Sequence, residues 1–221
     1  MSVLPKTTTE ALHLIERAEE ARADLIEVRL DCLKSHSELA DLATHGKTPK
    51  IATNKPRSSQ GNFSGTEAER LQTLLDAAKK GFEYVDIELT SPRLKDAFRE
   101  LKSSSAKLIV SFHDFVETSG LSELNSVLER EIASGADVCK IVTTAKHFED
   151  NLAVLNFTSA ACRRATVVCF AMGEFGKVSR LLSPLFGADF TFASLERGGE
   201  TAAGQMTVQE MRAAYELLGL K

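Results

Sequence analysis

Charged and ionisable side chains interrupt four of the most apolar stretches of this 221-residue chain. The stretches read EVRLD (27–31), DIEL (86–89), SFHDF (111–115) and VCKIV (138–142). In an extended strand, residues two apart share a face. That period groups Glu27 with Arg29 and Asp31, Asp86 with Glu88, Ser111 with His113, and Lys140 with Val138 and Val142. The opposite faces carry Val28, Leu30, Ile87, Phe112, Cys139 and Ile141, which suits packing under helices. The charged members must then point inward, where an unpaired charge costs on the order of several kcal/mol. A single case would be a structural ion pair, a snorkelling lysine or a satisfied histidine. The same pattern on four strands, near their C-terminal ends, points to a site.

The residue types name a chemistry. A lysine inside an apolar strand is desolvated, and cations such as Arg29 nearby would depress its pKa further. Its neutral amine attacks a ketone to form a Schiff base. The protonated imine withdraws electrons and acidifies the neighbouring carbon. His113 can take that proton and return it to a leaving group. A carboxylate such as Glu88 can hold the imidazole in one tautomer. The set describes imine-assisted elimination or aldol chemistry that needs no metal. Asp114 follows His113 directly, so the two side chains point apart, and a loop hydrogen bond is its expected role. His13, His36, His45 and His147 fall in helical or loop segments and read as surface residues.

These residues need a scaffold. Candidate strands cover 23–30, 50–53, 82–89, 107–113, 136–142, 165–172 and 189–194, with a short first strand near 3–6. Helical periodicity covers 8–21, 36–45, 66–80, 91–103, 120–133, 147–163, 175–183 and 207–219. Thr66, Ser91 and Thr207 are placed as N-caps, and Gly81, Gly135 and Gly187 fall where helices end. Alternation of this kind implies a parallel sheet with helices outside. About eight such units favour a single-domain (β/α)₈ TIM barrel over 1–221, with a doubly wound open sheet as the runner-up. The active site of such a barrel lies at the C-terminal ends of the strands.

Composition bounds the rest. Hydrophobic residues make up 43% and charged residues 26% of the chain, as in soluble globular proteins. A formal net charge of −4 gives no field favouring nucleic acid. No apolar run is long enough to span a bilayer, and the first residues hold no signal-peptide core. Cys32, Cys139, Cys162 and Cys169 form no CxxC and no zinc-finger spacing, so free thiols are expected.

Read together and in order, the blocks EVRLD, DIEL, SFHDF, ADVCKI, MGEFGKVSR and AAGQ resemble the type I 3-dehydroquinate dehydratases along almost the whole chain. The resemblance implies a barrel hydro-lyase that converts 3-dehydroquinate to 3-dehydroshikimate in the shikimate pathway. It makes Lys140 the Schiff-base lysine, His113 the general acid/base and Glu88 the residue that orients it. Glu27 and Arg29 would reach the substrate's hydroxyls, and Arg180 would clamp its carboxylate, a task suited to a planar guanidinium. Met172 and Phe192 would form an apolar wall, and Gln205 would close the site. The resemblance further implies a cytoplasmic homodimer with no cofactor, no metal, no nucleic acid and no membrane among its partners.

Some positions depart from the family pattern. The stretch ATNKPRSSQGNFSG offers Lys55 and Arg57 where the family has an arginine, with Asn62 in place of a glycine. Thr201 stands for a serine, and Ala203 for the proline of A-P-G-Q. Gly198-Gly199 suits either a mobile lid or a plain turn. Three other readings compete. A class I aldolase would share the imine lysine but wants a phosphate site. A metal-dependent hydrolase using His113, Asp114, Glu27 and Glu88 wants more histidines. A non-catalytic barrel leaves the inward Lys-His-Glu set unexplained.

Overall fold

The computed structural model describes residues 1–101 and 103–219. The alternation expected from the sequence is present. In chain order the elements are β1 (Ser2–Val3), α1 (Thr8–Glu20), β2 (Ile26–Arg29), α2 (Leu39–Thr44), β3 (Lys50–Thr53) and α3 (Glu67–Lys79). Then come β4 (Tyr84–Glu88), α4 (Leu94–Leu101), β5 (Lys107–His113), α5 (Leu121–Ala133) and β6 (Val138–Thr144). The chain continues through α6 (Asp150–Ala161), β7 (Val167–Met172), α7 (Lys177–Leu182) and α8 (Val208–Leu217). No described helix is long and apolar enough to cross a membrane.

Local chemistry explains several boundaries. Thr66 and Thr207 cap α3 and α8 in reciprocal capping boxes with Glu69 and Glu210. Helix α4 starts at Leu94, later than the expected 91, after Pro92. Lys102, inside the expected helix 91–103, lies outside the described residues. β1 stops short of the expected 3–6, and Pro5, with no N–H, cannot extend a ladder there.

The described residues divide into two compact units, one of 1–83 with 192–201 and the residues from 205 on, the other of 84–191 with 202–204. In the first unit β1, β2 and β3 pair in parallel, with Ser2 opposite Glu27 and Arg29 opposite Thr53. Its core holds Ile15, Ile26, Val28, Leu42, Ile51, Leu74 and Phe82, all essentially inaccessible. In the second unit β4, β5, β6 and β7 pair in parallel, again in chain order. Here Leu124, Val127 and Leu128 of α5 and Val154 and Phe157 of α6 pack on Cys139, Ile141, Cys169 and Ala171. Cys139 and Ile141 are two of the alternate positions that the sequence assigns to the helix side. Each large aliphatic side chain buried there contributes roughly 1.5–3 kcal/mol, and Phe157→Ala would cost about 3–5 kcal/mol.

Two expectations need correction. Seven strands form among the described residues, not eight. In 189–194, Asp189 N donates to Val167 O at 2.8 Å and Ala193 O accepts from Ser2 N at 3.1 Å. No strand is assigned over the segment, and Ser194 makes an isolated bridge to Thr207. The second correction concerns Asp31. β2 ends at Arg29, and Leu30–Cys32 turn into a short 3₁₀ helix, so Asp31 leaves the strand whose face it was expected to share. All four cysteines are free, with Cys139 and Cys169 buried.

Candidate active site

Strand register builds the centre of the second unit. Glu88 of β4 stands opposite Ser111 of β5, and Ser111 stands opposite Lys140 of β6. Residues in register present their side chains on one face. Asp86 and His113 share that face, two residues before Glu88 and two beyond Ser111. Glu88, Ser111 and Lys140 are buried, at 5%, 1% and 3% exposure, whereas His113 is half-buried. The row thus grades from a dry interior at Lys140 to an imidazole within reach of solvent.

Lys140 Nζ donates to Asp86 Oδ2 at 2.7 Å, and Ser111 Oγ donates to Asp86 Oδ1 at 2.6 Å. Within this unit Lys140 thus has an anion in direct contact. The His113 ring stacks on Phe115, with centroids 5.7 Å apart and planes 13° apart. Asp114 is a loop residue, as expected. Its Oδ1 accepts from the backbone N–H groups of Val116 and Glu117 at 2.8 and 3.0 Å.

Arg180 lies on α7 with 1% exposure, its guanidinium 4.2 Å from the centre of the Phe170 ring. Burial pulls its pKa down to about 10. Its backbone is held firmly. Ser179 Oγ accepts from Ala171 N and donates to Gly176 O, both at 3.0 Å, and Thr191 Oγ1 donates to Arg180 O at 2.8 Å. Met172 ends β7 and is buried. Just beyond it, Gly173 N donates to Ala203 O at 3.0 Å. That bond uses a carbonyl that a proline would also offer, so alanine at 203 keeps it. Gly204 has φ +76°, and a Cβ there would lie 2.1 Å from Gly173 O, so this position of AAGQ needs glycine.

The first unit holds the other expected residues. Glu27 is buried and accepts from Ser2 Oγ at 2.5 Å and from Thr53 Oγ1 at 2.9 Å. Arg29 binds Asp31 with two parallel bonds, Nε to Oδ1 at 2.8 Å and Nη2 to Oδ2 at 2.7 Å. Burial alone would raise the Asp31 pKa, but Arg29 and the backbone N–H groups of Asn62 and Lys55 hold it below the usual value. Lys55 is buried, whereas Arg57 is exposed on a short 3₁₀ turn. Asn62 has its own use: its N and Nδ2 donate to Asp31 Oδ2 at 3.0 and 3.3 Å. Phe192 and Gln205 are buried, and Gln205 Oε1 accepts from Thr201 N at 2.7 Å. Gly198, at φ +85°, sits in a turn in which Gly199 N donates to Glu196 O at 3.2 Å.

Of the four histidines read as surface residues, His13 and His147 are exposed; His36 and His45 are half-buried, and His36 Nε2 bonds Leu30 O at 2.8 Å. Among the described residues, no group of three or more His, Cys, Asp or Glu is arranged to hold a metal ion. Residue type and spacing alone assign no role to Ser2 or Ser111 and none to Asp86 beyond its face. Asp86 had a signal, since it shares the period of Glu88. Ser2 had none, because its value depends on its register against Glu27.

The family model described as type I 3-dehydroquinase matches residues 1–221. A 3-dehydroquinate dehydratase of Dehalococcoides mccartyi is 38% identical over 194 residues, covering 87% of this chain and 85% of that protein. A 3-dehydroquinate dehydratase of Methanococcus maripaludis is 34% identical over 223 residues, covering 99% of this chain and 100% of the other. The crystal structure of 3-dehydroquinate dehydratase from Geobacillus kaustophilus superposes with a TM-score of 0.90 at 26% identity, covering 99% of this chain and 89% of that one.

Proposed function

Because the chain belongs to the type I 3-dehydroquinase family, we propose that its dehydration of 3-dehydroquinate runs through an imine on Lys140. The enzyme is a hydro-lyase, a 3-dehydroquinate dehydratase of the shikimate pathway. The observation that carries the mechanism is the buried row of Glu88, Ser111 and Lys140, with Asp86 on the lysine and His113 at its outer end.

Lys140 Nζ attacks the substrate ketone, and the resulting iminium acidifies the neighbouring carbon. His113 removes that proton and returns it to the departing hydroxyl, leaving a conjugated enone. Glu88 orients the imidazole. Arg180 binds the carboxylate. Its dry setting favours this, because a guanidinium deprived of water gains most from a fork-to-fork pair with an anion. Glu27, Arg29 and Lys55 address the substrate's hydroxyls, with Thr201 and Gln205 as further polar ligands and Met172 and Phe192 as apolar wall. Burial favours Lys55 over the exposed Arg57 as the cation in that role. No metal or other cofactor enters any step.

The sequence alternation and the likeness to solved relatives support a closed (β/α)₈ barrel as a single domain over 1–221, with 189–194 in the eighth strand's place. The enzyme is proposed to work in the cytoplasm as a homodimer. Phe148, Leu152 and Phe175 supply an apolar face for the second copy. All three are exposed, and Asn151 Nδ2 draws Phe148 and Phe175 together by donating to both carbonyls, at 2.8 and 2.7 Å.

The test adds borohydride to enzyme with 3-dehydroquinate and maps the attached mass by peptide mass spectrometry. The label is expected at Lys140, with activity lost in proportion. Label at Lys55, Lys146 or Lys177 would reject the assignment. Turnover itself is followed by the ultraviolet absorbance of the enone. A substrate panel of ketoses and phosphorylated sugars separates dehydration from aldol cleavage.

A further inference from the structure

Lys140 meets a carboxylate that the mechanism above leaves idle. Asp86 is 1% exposed, Lys140 3% and Ser111 1%, so the three groups form a dry cluster. Asp86 Oδ2 takes the Nζ hydrogen bond at 2.7 Å, and Oδ1 takes the Ser111 hydroxyl at 2.6 Å. A buried ion pair adds little to stability compared with apolar packing. Stability alone therefore explains poorly why a third polar group is spent on fixing this carboxylate at the reacting nitrogen.

We propose that Asp86 is a catalytic residue of this reaction, taking a proton from Lys140 Nζ and then facing the iminium, and that Ser111 is the positioning residue that aims it. The inference rests on Lys140 being the imine-forming lysine. The nitrogen begins as an ammonium with three protons and ends as an iminium with one. Its lone pair forms the C–N bond, the ketone C–O bond breaks, and nothing is oxidised or reduced. The two protons that nitrogen loses leave with the ketone oxygen as water. Asp86 Oδ2 carries the first of them while the amine attacks. Because nitrogen is cationic before and after, one fixed carboxylate stabilises reactant and product alike, with no charge to be moved through the dry interior.

Ser111 sets the geometry. It lies opposite Lys140 in the β5–β6 register, and its hydroxyl bond to Oδ1 turns Oδ2 toward Nζ. Three other titratable groups bear on the pair. Glu88 shares β4 with Asp86, His113 follows Ser111 on β5, and Glu131 of α5 interacts through space with both Asp86 and Lys140.

The experiment measures single-turnover borohydride trapping of 3-dehydroquinate against pH for the wild type, Asp86→Asn, Ser111→Ala and Ser111→Thr. Folding of each is checked by circular dichroism. Asp86→Asn should lower the maximal trapping rate by roughly 10²–10⁴-fold, the usual range for a lost proton acceptor. Its rising limb should also move to lower pH, because no carboxylate then favours the ammonium. Ser111→Ala should show the same two changes at a smaller scale, about tenfold in rate for one lost hydrogen bond to a charged group. Ser111→Thr should restore both. A folded Asp86→Asn with wild-type rate and limb would overturn the proposal. If Asp86→Asn does not fold, an unchanged Ser111→Ala would do so. Wild-type label on a lysine other than Lys140 would instead bring down the imine assignment.

Discussion

Replacing Glu131 with leucine should stabilise this protein, and more so at higher pH. Glu131 falls on the inner stripe of α5, three and seven residues after Leu128 and Leu124. It is fully buried, and neither carboxyl oxygen has a hydrogen-bond partner among the described residues. Burial first, then the nearby charge of Asp86, push its pKa well above the usual carboxylate value of 4.5. A folded-state pKa above the unfolded one means that the folded chain holds its proton more tightly. Stability from this group is then fully present below pH 4.5 and is lost as pH rises toward the folded pKa. Two effects add in Glu131→Leu. Removing a buried polar group that lacks a partner returns about 1–3 kcal/mol at acid pH. Removing the titration adds up to about 1.4 kcal/mol per pH unit across the shifted window. For a chain of this size each kcal/mol raises Tm by about 2–4 °C. Urea unfolding followed by circular dichroism at pH 5, 7 and 8.5 would read both effects. Glu131→Gln serves as the control, flattening the pH dependence while keeping polar atoms in the site. A leucine variant that is less stable at every pH, or a gain that does not grow with pH, would show that the carboxylate is charged and compensated in the fold.

Three further outcomes concern the site. His113→Ala should lose roughly 10²–10⁴-fold in kcat while remaining open to borohydride trapping at Lys140, because proton transfer fails after the imine has formed; near-normal turnover would move the base elsewhere, with Glu88 next. Arg180→Ala should weaken substrate by about 2–5 kcal/mol, and an analogue lacking the carboxylate should bind the wild type and the variant equally; unchanged KM and kcat would remove Arg180 from the site. Activity should survive prolonged treatment with a strong chelator, and a loss reversed by zinc or magnesium would revive a metal-dependent mechanism.

Periodicity made much of this protein legible from its residues. Among the described residues, seven strands and eight helices lie close to where period 2 and period 3.6 place them, because each element buries one face and the sequence must alternate accordingly. The same period put Glu88, Ser111, His113 and Lys140 on the inner face before any register was known. The folded chain decided what depends on alignment between segments. Asp86 meets Lys140 from 54 residues away, and period 2 assigns a face to each strand but not the offset between them. Lys55 and Arg57 are both cations in the same stretch, and only the turn after Pro56 buries one and exposes the other. Asp31 reaches Arg29 because the strand gives way to a 3₁₀ turn, a local change that the E-x-R-x-D spacing does not disclose. Segment 189–194 has a strand's composition, yet no strand is assigned there and Ser194 makes only an isolated bridge to Thr207, because composition does not fix the register that a ladder needs.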